Sequence, residues 1–414
     1  MRKQAVVLGT GFFALYALNA TYDAFLPLLL RNFISNLAVI GFLMTIDNYI
    51  ALLSQPWWGS RSDGTRTRLG RRVPYLLIGM SLTALFAVLV PLGGQLSLWL
   101  LIGVMIALNL ALSVWRAPLL ALLADLFPPA ARSTASAITY FAGTLGGAAV
   151  LLGGSLLFGG KGYAPFVLVA IALLGAALII TRKLSEPAHT HHEPRRHDLL
   201  VPLKALRGLA ARPHKDPLLF LGGALCFQLA IAGTAPYFTL YVRELFSLTP
   251  GQAGTLASLT WIGALVATLP AGFAGARYGQ RKVMLTSLLT LSAVLFLLPF
   301  MQTPLLVGAL WGVAGVCAAA VVVNSIILFL SFAGDQEIGL FTGLHLSASA
   351  TAQIVGPPAW GLAMQLFGPQ ALWVSSGCAA VLATFLVSRV REGGLPDTEL
   401  VAKPLASPQP RPRR

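Results

Sequence analysis

Residues 59–94 read GSRSDGTRTRLGRRVPYLLIGMSLTALFAVLVPLGG: five arginines crowd a short polar stretch, and an uncharged apolar run over 74–94 follows. An α-helix rises about 1.5 Å per residue, so about 20 apolar residues cross a hydrocarbon core about 30 Å thick. The run is long enough to span a bilayer, and the arginines mark the end that stays in water. The same alternation recurs along the whole chain. Hydropathy and breaker residues predict spans near 5–30, 37–60, 74–94, 97–123, 134–158 and 164–181, then near 217–242, 251–273, 283–301, 304–333, 339–366 and 369–389.

Composition agrees. The 414 residues are 56% hydrophobic and 10% charged, where a soluble domain carries about 25% charged residues. A dozen spans with short loops use up this length and leave no room for a large soluble domain. The net charge of +15 raises the question of a nucleic-acid partner, but the basic residues sit between apolar spans, so none is expected. Cys226, Cys317 and Cys378 lie in apolar stretches without CxxC or Cys/His spacing, so neither a disulfide framework nor a cysteine metal site is indicated.

Lys and Arg in short loops favour the cytoplasmic side. With the N-terminus inside, 25 of the 29 Lys and Arg fall in cytoplasmic segments, Arg31, Lys161 and Arg243 fall outside, and Arg116 lies within a span. That bias requires both termini to be cytoplasmic and the number of spans to be even. The expected architecture is an all-α integral membrane protein, with twelve transmembrane helices in two pseudo-symmetric six-helix bundles. Residues 1–181 form the first bundle, 182–216 a cytoplasmic linker, 217–389 the second bundle, and 390–414 a disordered basic tail. The linker carries His189, His191, His192 and His197, read as a solvated stretch and not as a metal site.

The halves repeat one another. The loop from Gly59, GSRSDGTRTRLGRR, is matched in the second half by GFAGARYGQRK from Gly272. Both resemble the signature loop of the major facilitator superfamily, G-x-x-x-D-R-x-G-R-R, with Asp63, Gly70, Arg71 and Arg72 at its key positions and Ala276 in place of the acid in the second copy. The longer stretch QPWWGSRSDGTRTRLGRRVPY, 55–75, together with Asp47-Asn48, resembles the bacterial relatives of the sucrose and maltose proton symporters, near the glycoside-pentoside-hexuronide symporters. A second block, RAPLLALLADLFPPAARSTASA over 116–137, resembles the same branch. The resemblance implies alternating access around a midplane site and a conformational latch at the loops. Its members are Gly59, Asp63, Arg66, Gly70, Arg71 and Arg72, with Asp125 and Arg132 in the second block and Arg277 and Arg281 in the second copy.

Of the 14 acidic residues, only Asp23 and Asp47 fall well inside predicted spans. A charge at midplane costs at least about 2.5–3.5 kcal/mol on insertion scales, so it is expected to face a cavity and to have a function. Both are candidates for cation coupling, because a carboxylate withdrawn from water takes up a proton more readily. Asn19, Tyr22 and Asp23 share a helix face at i, i+3 and i+4, and Asn109, Ser113 and Arg116 form another polar stripe. Span 2 adds Asn48 and Gln55. The second half offers Gln228, Tyr237, Trp261, Asn324, His345 and Gln353.

Amides that meet hydroxyls and aromatic faces that meet sugar rings make these residues candidate substrate contacts. Arg116 resembles the span-4 arginine that serves sugar binding in plant sucrose carriers, but the protonatable Asp that those carriers place eleven residues earlier is Met105 here. The expected activity is therefore proton-coupled symport of a disaccharide or glycoside by a monomer in a bacterial inner membrane. No cofactor is expected beyond a coupling proton or sodium. Sodium coupling stays open, although Gln55 replaces one acid of the related melibiose permeases. Proton-driven export of amphiphiles and a non-transporting sensor are the other readings. No HExxH, GxSxG or P-loop pattern points to an enzyme.

Overall fold

The computed structural model describes residues 2–158, 162–184, 186, 206, 209, 215–334 and 337–391. The histidine-bearing part of the linker and the tail beyond 391 lie outside them. Among the described residues, thirteen α-helices follow one another. They are α1 (Arg2–Arg31), α2 (Leu37–Met44), α3 (Ile46–Gly64), α4 (Val73–Leu96), α5 (Leu98–Leu126), α6 (Pro129–Leu156), α7 (Ala164–Lys183), α8 (Asp216–Phe246), α9 (Pro250–Tyr278), α10 (Gln280–Leu297), α11 (Pro304–Leu330), α12 (Ile338–Phe367) and α13 (Ala371–Arg389).

Each predicted span overlaps one of these helices, except the second, which is split at Thr45 into α2 and α3. Helix ends follow local chemistry. The Asn36 side chain accepts from the amides of Ala38 and Val39, and Thr249 and Gln252 cap each other reciprocally at the start of α9. Gly70 (φ 103°) in the loop between α3 and α4 and Gly279 (φ 90°) at the end of α9 take positive φ angles that a side chain would strain.

Among the described residues, eleven helical segments are long and apolar enough to cross a membrane, α2 and α3 counting as one. The helix over Ile338–Phe367 is not among them. Its 30 residues suffice in length, but Thr342, His345, Ser347, Ser349, Thr351 and Gln353 dilute its hydropathy.

The helices before residue 183 pack mainly on one another, with α1 on α6 and α7, and α4 on α5 and α7. Those after 216 do the same, with α8 on α12 and α13, and α9 on α11. The chain runs up and down, so Arg2 and Arg389 lie at one end, called here the near end. Contacts joining the two groups gather toward the far end. Arg31 Nε lies 2.9 Å from Glu244 Oε1, the Leu37 amide 3.2 Å from Gln365 Oε1, and Thr239 Oγ1 donates to the Ala24 carbonyl at 2.6 Å. The buried Tyr237 hydroxyl lies 3.0 Å from the Leu37 carbonyl and 2.6 Å from that of Pro357. Gly41 and Gly361 make room for it, since a Cβ at either would collide with the phenol oxygen. At the near end α3 touches α12 only lightly. The groups are thus clasped at the far end and parted at the near end.

Candidate functional site

Between the two groups lies a cavity of about 290 Å³, at the small end of ligand pockets, which run from about 300 to 1,000 Å³. The face that α1 presents to it carries Asn19, Tyr22 and Asp23. Asn109 of α5 stands one layer behind. Its Nδ2 donates to the Tyr22 hydroxyl at 3.1 Å and to the Met105 carbonyl at 3.0 Å, so it holds Tyr22 and does not line the cavity. Asp47 and Asn48 enter from the first turn of α3, immediately past the break at Thr45. Asn48 Nδ2 donates to Asp47 Oδ1 at 2.7 Å. Arg116 of α5 completes this wall. An interrupted helix that delivers a polar group at mid-membrane is a recurring device of transporters.

The opposite wall is neutral. Gln228 and Gln353 contribute amides, Thr260 a hydroxyl, and Trp261, Trp311 and Phe238 aromatic surface. Gln228 Nε2 donates to Ser349 Oγ at 2.7 Å, which ties α8 to α12. Phe238 stacks on Trp311 with ring centroids 4.7 Å apart. Trp261 reaches across to Tyr16 at 6.1 Å and packs on Gly147. Pro236 and Pro357 also line the cavity, and a proline inside a helix leaves the carbonyl four residues earlier without its usual donor.

Asp23, Asp47 and Arg116 are each half-buried. The ion pairs found among the described residues involve Arg31, Glu244, Arg71, Arg72, Asp63 and Asp125, and none of the three cavity charges. The cavity thus holds one cation and two carboxylates that other side chains do not neutralise.

A model of the Major Facilitator Superfamily matches residues 8–245 and again residues 219–412. The chain belongs to the Major Facilitator Superfamily. Membership makes it a multi-pass membrane protein that transports a small-molecule substrate, and not an enzyme. Multidrug resistance protein MdtG of Citrobacter koseri is 25% identical over 337 residues, which cover 77% of this chain and 76% of the relative. MdtG of Escherichia coli O17:K52:H18 is 24% identical over 381 residues, covering 86% and 85%. Among solved structures, a variant of the nucleoside transporter NupG superposes with a TM-score of 0.74 at 14% identity, covering 93% of this chain and 99% of that one. A bacterial homologue of the human lysosomal transporter Spinster, inward-facing and occupied, gives 0.68 at 15% identity, covering 94% and 97%. At these identities the structural likeness carries the fold.

In this superfamily member the loop between α3 and α4 forms a dense polar knot at the near end. Arg72 is the hub. It bonds Asp63 at 2.6 Å, Ser62 Oγ at 3.0 Å, and Asp125, which Arg71 also pairs at 2.8 Å. Glu186, just past α7, accepts from the backbone amides of Arg71 at 2.7 Å, Arg72 at 2.9 Å and Val73 at 2.8 Å. Sequence reasoning missed Glu186, because a single carboxylate in a polar linker carries no periodic signal. Arg132 instead donates to the carbonyls of Phe127 at 3.0 Å and Ala124 at 3.1 Å. Arg66 is exposed, and Gly59 borders open space. In the second copy, Arg277 stacks on Tyr278 and Arg281 donates to the Ser388 carbonyl at 2.6 Å.

Of the other sequence-predicted contacts, Tyr237 belongs to the far-end clasp. Asn324 donates to the carbonyls of Ala271 at 3.1 Å and Ala320 at 2.9 Å. His345 packs beside Phe329 at 6.0 Å. Gln55 is half-buried two turns toward the near end, and none of these four lines the cavity. Thr260, Phe238 and Trp311 were missed, because a lone hydroxyl or aromatic in an apolar span reads as core.

Proposed function

We propose that the chain is a proton-coupled symporter of a small, hydroxyl-rich solute, a sugar or glycoside, working by alternating access in a bacterial inner membrane. In this reading twelve helices span the bilayer in two six-helix bundles, 1–181 and 217–389. Residues 182–216 link them, 390–414 form a tail, and both termini are cytoplasmic. The near end is then the cytoplasmic end, and the parted near end corresponds to an inward-open state.

The observation that carries the proposal is the set of unpaired charges Asp23, Asp47 and Arg116 in a compact cavity whose other polar wall is built of amides. An ionised, empty cavity resists closure, because occlusion withdraws water from charges that no ion pair compensates. A proton on one carboxylate leaves one cation facing one anion, and a solute with many hydroxyls replaces the lost water. Together they permit occlusion; either alone does not. The resemblance of 55–75 and 116–137 to the sucrose and maltose symporter branch supports the cargo class.

A second reading, proton-driven export of amphiphiles, is favoured by the similarity to MdtG, a multidrug resistance protein. In it a cationic compound binds the same carboxylates and displaces their proton into the water of the cytoplasmic side. Against it stand the small cavity volume and its amide content.

Uptake of a radiolabelled sugar panel into proteoliposomes, under an inward pH gradient and separately under a sodium gradient, tests the first reading. Accumulation of a sugar under the pH gradient is expected. Accumulation under sodium alone would move the coupling ion to sodium, and no accumulation under either would end the symport reading.

A further inference from the structure

The near-end surface of the first helix group carries charge that the ion pairs of the α3–α4 loop do not use. Arg61, Arg66 and Arg68 are all exposed. The acids of this end, among the described residues of the first group, are already engaged. Asp63 is held by Arg72, Asp125 by Arg71 and Arg72, and Glu186 by the three backbone amides at the start of α4. The three arginines are therefore left facing outward without a local carboxylate. Arg182 and Lys183, exposed at the end of α7 and close in sequence to Glu186, add to the same end.

A second feature gives this surface a depth in the bilayer. Tyr49, Leu53, Trp57 and Arg61 follow one another at i, i+4 spacing along α3, and all four are exposed. Leu53 is 75% exposed and Trp57 52%. From Leu53 the order runs from aliphatic side chain to indole to guanidinium toward the near end. That is the order in which a membrane passes from acyl chain to interface to headgroup. The Arg61 guanidinium lies over the Trp57 ring, 5.2 Å from its centroid, so the cation is already poised beside the interfacial aromatic.

We propose that this face is an anionic-phospholipid site. The headgroup phosphates lie against Arg61, Arg66 and Arg68, and the acyl chains lie along Trp57 and Leu53. Charge complementarity selects the occupant: three cations without a carboxylate partner at headgroup depth attract anionic over zwitterionic lipid, about fivefold for each. The depth assignment rests on the spanning arrangement proposed above but not on the cargo or the coupling ion.

Trp57 fluorescence in proteoliposomes, taken as the difference between the full chain and its Trp57→Phe variant, tests the site. Brominated phosphatidylglycerol, set against an equal mole fraction of brominated phosphatidylcholine, supplies the quencher. Stronger quenching by the phosphatidylglycerol is expected, declining as salt is raised and falling to the phosphatidylcholine level in Arg61→Gln/Arg66→Gln/Arg68→Gln. Equal quenching by the two lipids in the wild type, or an unchanged preference in the triple variant, would overturn the proposal. The readout needs neither transport nor a particular orientation in the vesicle, so failure of the sugar assay leaves it intact. Since the three side chains are exposed, the triple variant is expected to fold, and the salt series on the wild type is independent of it.

Discussion

The two walls of the cavity are built from helices of matching order in the two halves, yet they carry different chemistry. The first-half wall holds every cavity charge: Asp23 on α1, Asp47 on α3 and Arg116 on α5. The second-half wall holds amides, a hydroxyl and aromatic rings, with Gln228, Gln353, Thr260, Trp261 and Trp311 among them. The loops differ in the same sense. Arg72 gathers two carboxylates at the end of the first half, whereas Arg277 and Arg281 of the repeat settle on a ring and a backbone carbonyl, with Ala276 where the acid would stand. A duplicated scaffold thus keeps its packing while one copy specialises in charge. In the proposed mechanism the first half handles the proton and the second half recognises the cargo.

Substitutions on each wall can break that division. The largest effect is expected from the double variant Asp23→Asn/Asp47→Asn, in which uptake driven by a pH gradient falls to the level of empty liposomes; uphill accumulation by this variant would remove the first wall from coupling. Arg116→Gln follows. Loss of a charge-assisted hydrogen bond of about 1.5–3 kcal/mol raises the half-saturation concentration roughly tenfold to a hundredfold, measured by initial uptake rates. On the neutral wall, Trp261→Ala raises the same quantity by a smaller factor, about tenfold or less, and leaves the ratio of protons to solute unchanged. A changed ratio would show that the walls do not divide their labour.

The smallest effect concerns the clasp. Tyr237→Phe removes a hydroxyl that bridges the groups through Leu37 and is worth about 1 kcal/mol, so far-side alkylation of Asn19→Cys is expected to speed up about fivefold. An unaltered rate would take Tyr237 out of the clasp.

The fold was legible because lipid imposes a strong rule. Long uncharged runs must be helices, and loop arginines mark one side. The helix over Ile338–Phe367 shows the limit of hydropathy, since the polar residues that bring Gln353 to the cavity also lower its apolar score. For the site, intramembrane charge was the usable signal, and Asp23, Asp47 and Arg116 do converge on the cavity. Neutral residues were harder to read. Asn109 and Gln228 look alike in sequence, but one braces Tyr22 from behind while the other faces the cavity. The difference lies in helix rotation, which periodicity fixes only loosely. The break at Thr45 and the seat of Glu186 depend on tertiary contacts that no local pattern announces.

Proton and solute fluxes recorded together in proteoliposomes, for the wild type and for Asp47→Asn, test the central claim most directly. The account predicts that adding solute to wild-type vesicles draws protons inward along with it, and that Asp47→Asn abolishes the proton signal and uphill accumulation while solute still exchanges across the membrane. An Asp47→Asn protein that continues to move protons with its solute would contradict it.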